Sequence, residues 1–219
     1  EVEGINPDVV RSLSVAEIER LPIYHGNRPA TLGDFFQVSG DASDEHIEWL
    51  GDLKGVHWIG AKMKSGRMDI HGSAGRHVGS EMSGGVRNVF FENCKLDSPN
   101  LDQALRFKTN AMRGGTIEHI FFRNISVGEV NNAVVQIDCM YEEGDKGPEK
   151  PIVRDIHIAK VTCKKSKYAL QLRGFAASPI QDVHLEDCDF GGAQQANVVE
   201  HVTSLKATRV KINGKPFEA

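Results

Sequence analysis

From Val86 onward, apolar residues recur at positions 0, 3, 5, 8 and 10 of a frame that appears five times. Val86, Val89, Phe91, Cys94 and Leu96 make the first copy, and Ile117, Ile120, Phe122, Ile125 and Val127 the second. Val153, Ile156, Ile158, Val161 and Cys163 make the third, Ile180, Val183, Leu185, Cys188 and Phe190 the fourth, and Val202, Leu205, Ala207, Val210 and Ile212 the fifth. A second apolar strand follows each of the first four copies, at Ala104–Phe107, Ala133–Ile137, Ala169–Leu172 and Ala196–Val199, starting 16 to 18 residues after the frame's first position. Alternation with β-branched and aromatic residues indicates strands rather than helices. Copies begin 22 to 36 residues apart, so turns vary while strands stack. This pattern predicts an all-β fold, a right-handed parallel β-helix. A sandwich or propeller would need short hairpin turns, and none is expected here.

Upstream, a different and glycine-rich repeat runs at 19 to 21 residues. Ile47-Glu48-Trp49-Leu50-Gly51-Asp52 is echoed by Met68-Asp69-Ile70-His71-Gly72-Ser73, and Ile59–Gly66 by Val78–Gly85. Such a period suits one coil of a narrow solenoid, with glycines at the tight corners and Met63 and Met82 stacked in the core. Residues 1–50 are least repetitive and read as a cap segment. Asn6-Pro7-Asp8 is a turn or helix start, and Ser14-Val15-Ala16-Glu17 is a capping box that opens a short helix to about Leu21. Tyr24–Pro29 is turn-rich, and Thr31–Val38 reads as a turn into a strand. The expected organisation is therefore a cap at 1–50, glycine-rich coils at 51–85 and coils of the second type at 86–219, in one continuous solenoid. The heptad Gly79-Ser80-Glu81-Met82-Ser83-Gly84-Gly85 fits both repeats and marks their junction. Tyr141–Pro151 is a polar loop, read as a solvated excursion although such loops often carry binding residues.

Composition narrows the function classes. The 26 basic and 30 acidic residues give a net charge of −4, which argues against a nucleic-acid partner. Residues 1–84 carry 8 Lys/Arg against 13 Asp/Glu, and the remainder 18 against 17. No apolar run approaches the roughly 20 residues that span a bilayer, so no membrane partner is expected. No signal-peptide pattern is present, and localisation stays unassigned. Cys94, Cys139, Cys163 and Cys188 lie far apart without metal-ligand spacing. Cys94 and Cys188 hold the same frame position and read as part of an inward ladder.

Two resemblances follow from particular residues. Gly79–Val89, Leu105-Arg106-Phe107-Lys108-Thr109-Asn110, Arg113-Gly114-Gly115, Tyr141–Gly147 and Tyr168–Gly174 resemble the polygalacturonases of glycoside hydrolase family 28, over residues 79–215. That resemblance implies a right-handed β-helix, inverting hydrolysis of galacturonan, and Arg106 and Lys108 as the Arg-x-Lys pair that grips a substrate carboxylate. A guanidinium and an ammonium two residues apart on one strand face suit that task. Arg113 joins them as a candidate uronate-binding residue. Asn6–Gly85 is similar instead to the C subunit of formylmethanofuran dehydrogenase and of the related formyltransferase/hydrolase complex. The match is carried by Leu21–Arg28, Leu32-Gly33-Asp34-Phe35-Phe36, Gly60-Ala61-Lys62-Met63 and His77–Met82. That module is structural in its complexes, and its family is cytoplasmic, whereas the hydrolase family is commonly exported.

The hydrolase's catalytic groups precede the Gly-Ser-Glu-Met motif, where this chain follows the other family. Aligning Lys64-Ser65-Gly66 with the hydrolase's Lys-Ser-Gly puts Trp58-Ile59 where paired aspartates should stand and Ser73 where the catalytic histidine should. No catalytic residue is therefore expected, nor any cofactor or metal site. Asp52, Asp69 and Glu81 are expected as solvated surface carboxylates, and His57, His71 and His77 as turn histidines. The leading expectation is a non-catalytic chimeric β-helix scaffold, engineered or recombined. The alternatives are a polygalacturonase-like hydrolase or degenerate galacturonan binder, and a structural component of a C1-transfer complex. Possible partners are an acidic polysaccharide and a second copy through exposed coil ends.

Overall fold

A computed structural model describes all residues except 54, 62, 72–76, 79–84 and 98–99, and all described side chains except those of 70, 71, 77 and 78. The chain divides into two compact units, Glu1–Gly75 and Arg76–Ala219.

In the first unit, helices Pro7–Val10 and Val15–Glu19 are followed by an antiparallel pair, Pro22–His25 with Arg28–Thr31. The Glu17 carboxylate accepts from the Ser14 N–H at 2.8 Å and from its hydroxyl at 2.7 Å, which anchors the second helix start. That helix ends at Glu19, two residues short of the expected Leu21. The expected strand over 31–38 is replaced by a 3-10 turn at Leu32–Asp34. Asp34 causes this, because its carboxylate accepts from the Thr31 N–H at 2.8 Å and hydroxyl at 2.9 Å and so curls the chain. The parallel pair His46–Leu50 and Arg67–His71 runs in the register of the sequence echo, with Ile47 opposite Met68 and Trp49 opposite Ile70. Val10, Ile18, Ile23, Leu32, Trp49, Leu53 and Met68 form the core. Gly66, at φ +94°, lies where a Cβ would meet the Glu45 carbonyl at 2.5 Å.

The second unit is a right-handed parallel β-helix. Long strands Thr116–Glu129 and Ile152–Lys165 pair in parallel over their whole length, flanked by Val86–Glu92 and Gln181–Glu186. The frame has a backbone cause. Residues at frame position 2 (Asn88, His119, Asp155, Asp182) and position 7 (Asn93, Asn124, Lys160, Asp187, Arg209) all have positive φ, between 51° and 56°. Each left-handed residue bends the strand and inserts one extra position, so apolar spacing becomes three there; the gap from Val202 to Leu205 in the fifth copy lacks such a residue at Ser204. Ile117, Ile120, Phe122, Ile125 and Val127 are all buried as a result. Phe91 and Phe122 stack at 4.9 Å and 6°, the spacing of neighbouring strands. Phe107, from the facing sheet, meets Phe122 edge-on at 5.6 Å.

Two tight antiparallel turns correct the expectation that hairpins are missing. Gly26-Asn27 joins the first unit's pair, and Asn213-Gly214 joins Lys211–Ile212 to Lys215–Pro216 in the second. Gly26, Asn213 and Gly214 supply the positive φ such turns require. Of the junction heptad only Gly85 is described. It has φ +84°, and a Cβ there would lie 2.8 Å from the Thr116 carbonyl oxygen. The expected methionine stack includes Met82, outside the described residues, whereas Met63 is half-buried. Cys139, Cys163 and Cys188 are free thiols, and Cys188 is buried in the inward ladder.

Candidate functional site

A five-stranded parallel sheet of the second unit has the spatial order 198–200, 168–173, 133–138, 103–108 and 77–78. Strand alternation buries Leu105 and Phe107 inward and leaves Arg106 and Lys108 on the outer face. Register extends them into two rows. Arg106 stands beside Gln136, Gln171 and Val198, and Lys108 beside Asp138, Arg173 and Glu200. The Arg173 Nε donates to Glu200 at 3.2 Å.

Past Asp138 the chain turns sharply, with the Met140 N–H donating to the Asp138 carboxylate at 3.0 Å. This brings the Tyr141 ring to both cations, with Arg106 Cζ at 5.6 Å from its centroid and Lys108 Nζ at 4.7 Å. The loop that follows is anchored, unlike the expected free excursion. Fully buried Asn110 donates to the Tyr141 carbonyl at 3.0 Å and the Glu143 carboxylate at 2.6 Å. Its own carbonyl accepts from the Met112 and Arg113 N–H groups at 3.0 and 3.2 Å. Arg113, the third sequence candidate, pairs with Glu142 at 3.0 Å and lies 3.9 Å from Glu143. Its hydrogen bond, then that from Tyr141, holds the Glu142 carboxyl below the usual range, while Glu142 pushes the Tyr141 phenol up. Arg106 and Lys108 thus converge over one ring, and Arg113 ties down the loop that carries it. Sequence reasoning missed Tyr141 as the element that joins the pair.

A second polar cluster lies on the outer face of the other sheet. Phe90, Phe121, His157 and His184 hold one frame position and stack successively at 4.8 Å. Asp155 bridges His119 and His157, at 2.6 Å from the latter. Glu118 is buried between Arg87 at 2.8 Å and Arg154 at 2.7 Å, and the hydrogen bond from Arg154 is the main cause of its lowered pKa. In the first unit, His46, Glu48 and Asp69 converge as a group able to ligate a metal. Asp69 is 7% exposed, which corrects its expected solvation; Arg67 donates to it at 2.7 to 3.1 Å and supplies the countercharge there. Asp52 and His57 are exposed, whereas Glu81 and the side chains of His71 and His77 lie outside the described residues.

The chain belongs to family 28 of the glycosyl hydrolases, whose family pattern it matches over residues 60–209. An exopolygalacturonase of Thermotoga maritima has a similar structure, with TM-score 0.64 and 30% identity over 71% of this chain and 39% of that one. The chain is also similar to the C subunit of the tungsten-containing formylmethanofuran dehydrogenase 2 of Methanothermobacter wolfeii, 39% identical over 84 residues, 36% of this chain and 31% of the relative. The C subunit of the molybdenum-containing enzyme 1 of Methanothermobacter marburgensis is 40% identical over 80 residues, covering 36% of this chain and 20% of the relative. The chain therefore spans about a third or less of these curated relatives. The two-part resemblance holds.

Proposed function

We propose that this chain is a non-catalytic β-helix scaffold, combining the coils of two solenoid families, whose outer sheet face binds uronate-bearing polysaccharide. The observation that carries this reading is the placement of Arg106 and Lys108 on one strand face against the Tyr141 ring. A planar guanidinium offers paired N–H groups to a carboxylate, and an ammonium adds a point charge.

Hydrolysis with inversion needs two carboxyl groups flanking the scissile bond, about 6.5–9.5 Å apart. In the hydrolase pattern those groups precede the Gly-Ser-Glu-Met motif, and aligning Lys64-Ser65-Gly66 with its Lys-Ser-Gly puts Trp58-Ile59 and Ser73 in their places. The chain accordingly keeps the grip without the acid and base. Titration with oligogalacturonate at low salt should show saturable binding, and the same sample should release no reducing sugar from polygalacturonate. Failure to bind would reject the polysaccharide reading, and turnover abolished by Arg106→Ala would reject the non-catalytic one.

Similarity to the C subunit of formylmethanofuran dehydrogenase supports a second reading, a structural component of a C1-transfer complex. Its test is co-purification with the other subunits of such a complex.

A further inference from the structure

His46 and Glu48 stand two residues apart on the strand His46–Leu50 and leave its outer face, opposite to buried Trp49. Parallel register sets Glu48 beside Asp69, and His46 beside Arg67, on the neighbouring strand. His46 Nε2 lies 3.1 Å from Asp69 Oδ2 and 3.9 Å from Glu48 Oε1, and the three ligating atoms all fall within 4.8 Å of one another. Donors around a tetrahedral ion with bonds of about 2.0–2.1 Å stand about 3.3 Å apart, a value that the two imidazole distances bracket. Both strand starts are fixed by the backbone: the His46 N–H donates to the Asp44 carboxylate at 3.0 Å, and the Arg67 N–H to the Glu45 carbonyl at 2.7 Å. The imidazole itself is poorly served. Neutral, with its proton on Nε2, it bonds one carboxylate at a time, and with the proton on Nδ1 its lone pair faces two anions. A cation at the shared point meets all three lone pairs at once.

We propose that His46, Glu48 and Asp69 bind one divalent first-row transition ion, of which zinc is the test case, and that Arg67 is the countercharge the ion displaces. The Arg67 guanidinium donates to both Asp69 oxygens, Nε at 3.0 and 3.1 Å and Nη2 at 2.7 Å, and so neutralises one of the two carboxylates. Its side chain is 53% exposed and turns into solvent at small cost, exposed ion pairs being weak. A divalent ion then matches both carboxylates. The imidazole donor favours zinc and its transition-metal neighbours over calcium and magnesium, which take oxygen ligands. Three protein donors leave a fourth position open to water or a small anion. The site belongs to the first unit alone, and it stands or falls apart from uronate binding.

Calorimetric titration of the EDTA-treated chain with zinc near neutral pH tests this. One zinc ion per chain is expected. Glu48→Gln, at an exposed position, and His46→Gln should each weaken that binding by at least about 10-fold. Arg67→Met should tighten it by roughly 10-fold, because no cation then competes for Asp69. Excess calcium should not displace the zinc. Cobalt in its place should give visible absorption bands without thiolate charge transfer, which separates this site from capture by cysteine. Absence of saturable zinc binding, binding unchanged in Glu48→Gln and His46→Gln, displacement by calcium, or thiolate charge transfer would each overturn the site. An unchanged or weaker affinity in Arg67→Met would overturn the exchange of Arg67 for the ion. Should Arg67→Met not fold, the wild type and Glu48→Gln still decide.

Discussion

His157 and His184 stack with ring centroids 4.8 Å apart and planes 9° from parallel, on neighbouring strands at one frame position. Two imidazoles so placed cannot both carry a proton cheaply. Burial first, then the His157 and Lys206 charges, lower the His184 pKa, against the weaker opposing pull of Asp182 and Asp155. A folded pKa below the unfolded value of about 6.5 means that the unfolded chain binds the proton more readily. Stability is then fully present above about pH 6.5 and is lost as pH falls through the lower folded value. Melting temperature should therefore decline on acidification from pH 7 to pH 5. His184→Phe, which extends the ring stack begun by Phe90 and Phe121, should flatten that decline. An unchanged slope in thermal melts of this variant would refute the assignment.

The stack also shows where sequence reasoning stops. The apolar frame was legible because inward burial imposes it on each coil separately, and its three-residue gaps recorded the left-handed bends at His119, Asn124, Asp155 and Lys160. Arg106 and Lys108 were legible because they match the Arg-x-Lys motif of the resembled hydrolase family, with which their shared strand face agrees. Tyr141 lies 33 residues beyond Lys108, and only the inter-strand register brings it back. Asp155 meets His119 across 36 residues for the same reason. Asp69 alternates outward like any surface carboxylate, and its burial comes from Arg67 and His46 folding over it. Partners across coils have no local signature, since loop lengths between copies vary freely.

Gly147 should prove the most sensitive position of the loop that carries Tyr141. A Cβ there would fall well inside van der Waals contact with the Ala111 carbonyl, whose oxygen accepts the Glu149 N–H at 2.9 Å. Gly147→Ala should cost about 1–3 kcal/mol, as overpacking does, or lift the loop from the sheet. Either outcome displaces Tyr141 and weakens oligogalacturonate binding. Gly55, where a Cβ would meet nothing within 4 Å, serves as the control. Gly55→Ala should alter stability by no more than about 0.5 kcal/mol. Chemical denaturation of the two variants makes the comparison.

Thiol chemistry should report the inward ladder. Burial, followed by the Asp138 charge, pushes the Cys139 thiol up to about 12, and burial also raises Cys94, Cys163 and Cys188. Since the thiolate is the reactive species, iodoacetamide at pH 8 should modify the native chain slowly and the denatured chain completely. Cys94, the half-buried member, should react first. Mass spectrometry of partly alkylated protein would show the order, and rapid native labelling of Cys139 would contradict the packing.

The two cations should differ in what their replacement removes. Arg106 offers a planar fork, so Arg106→Lys keeps the charge and loses the paired geometry; uronate affinity should fall by roughly 10-fold despite the unchanged sign. Lys108 acts as a point charge, and Lys108→Arg should be tolerated better than Arg106→Lys. Lys108→Met, by contrast, removes one charge from the face and should weaken the salt dependence of binding, because screening acts on charge and not on fork geometry. Tyr141→Leu leaves both cations in place and removes the ring quadrupole they share, which should cost about 0.5–1 kcal/mol. Calorimetric titrations with oligogalacturonate at two ionic strengths distinguish these effects. Equal losses for Arg106→Lys and Lys108→Arg would show that the face reads charge alone, without the geometry assigned to the guanidinium.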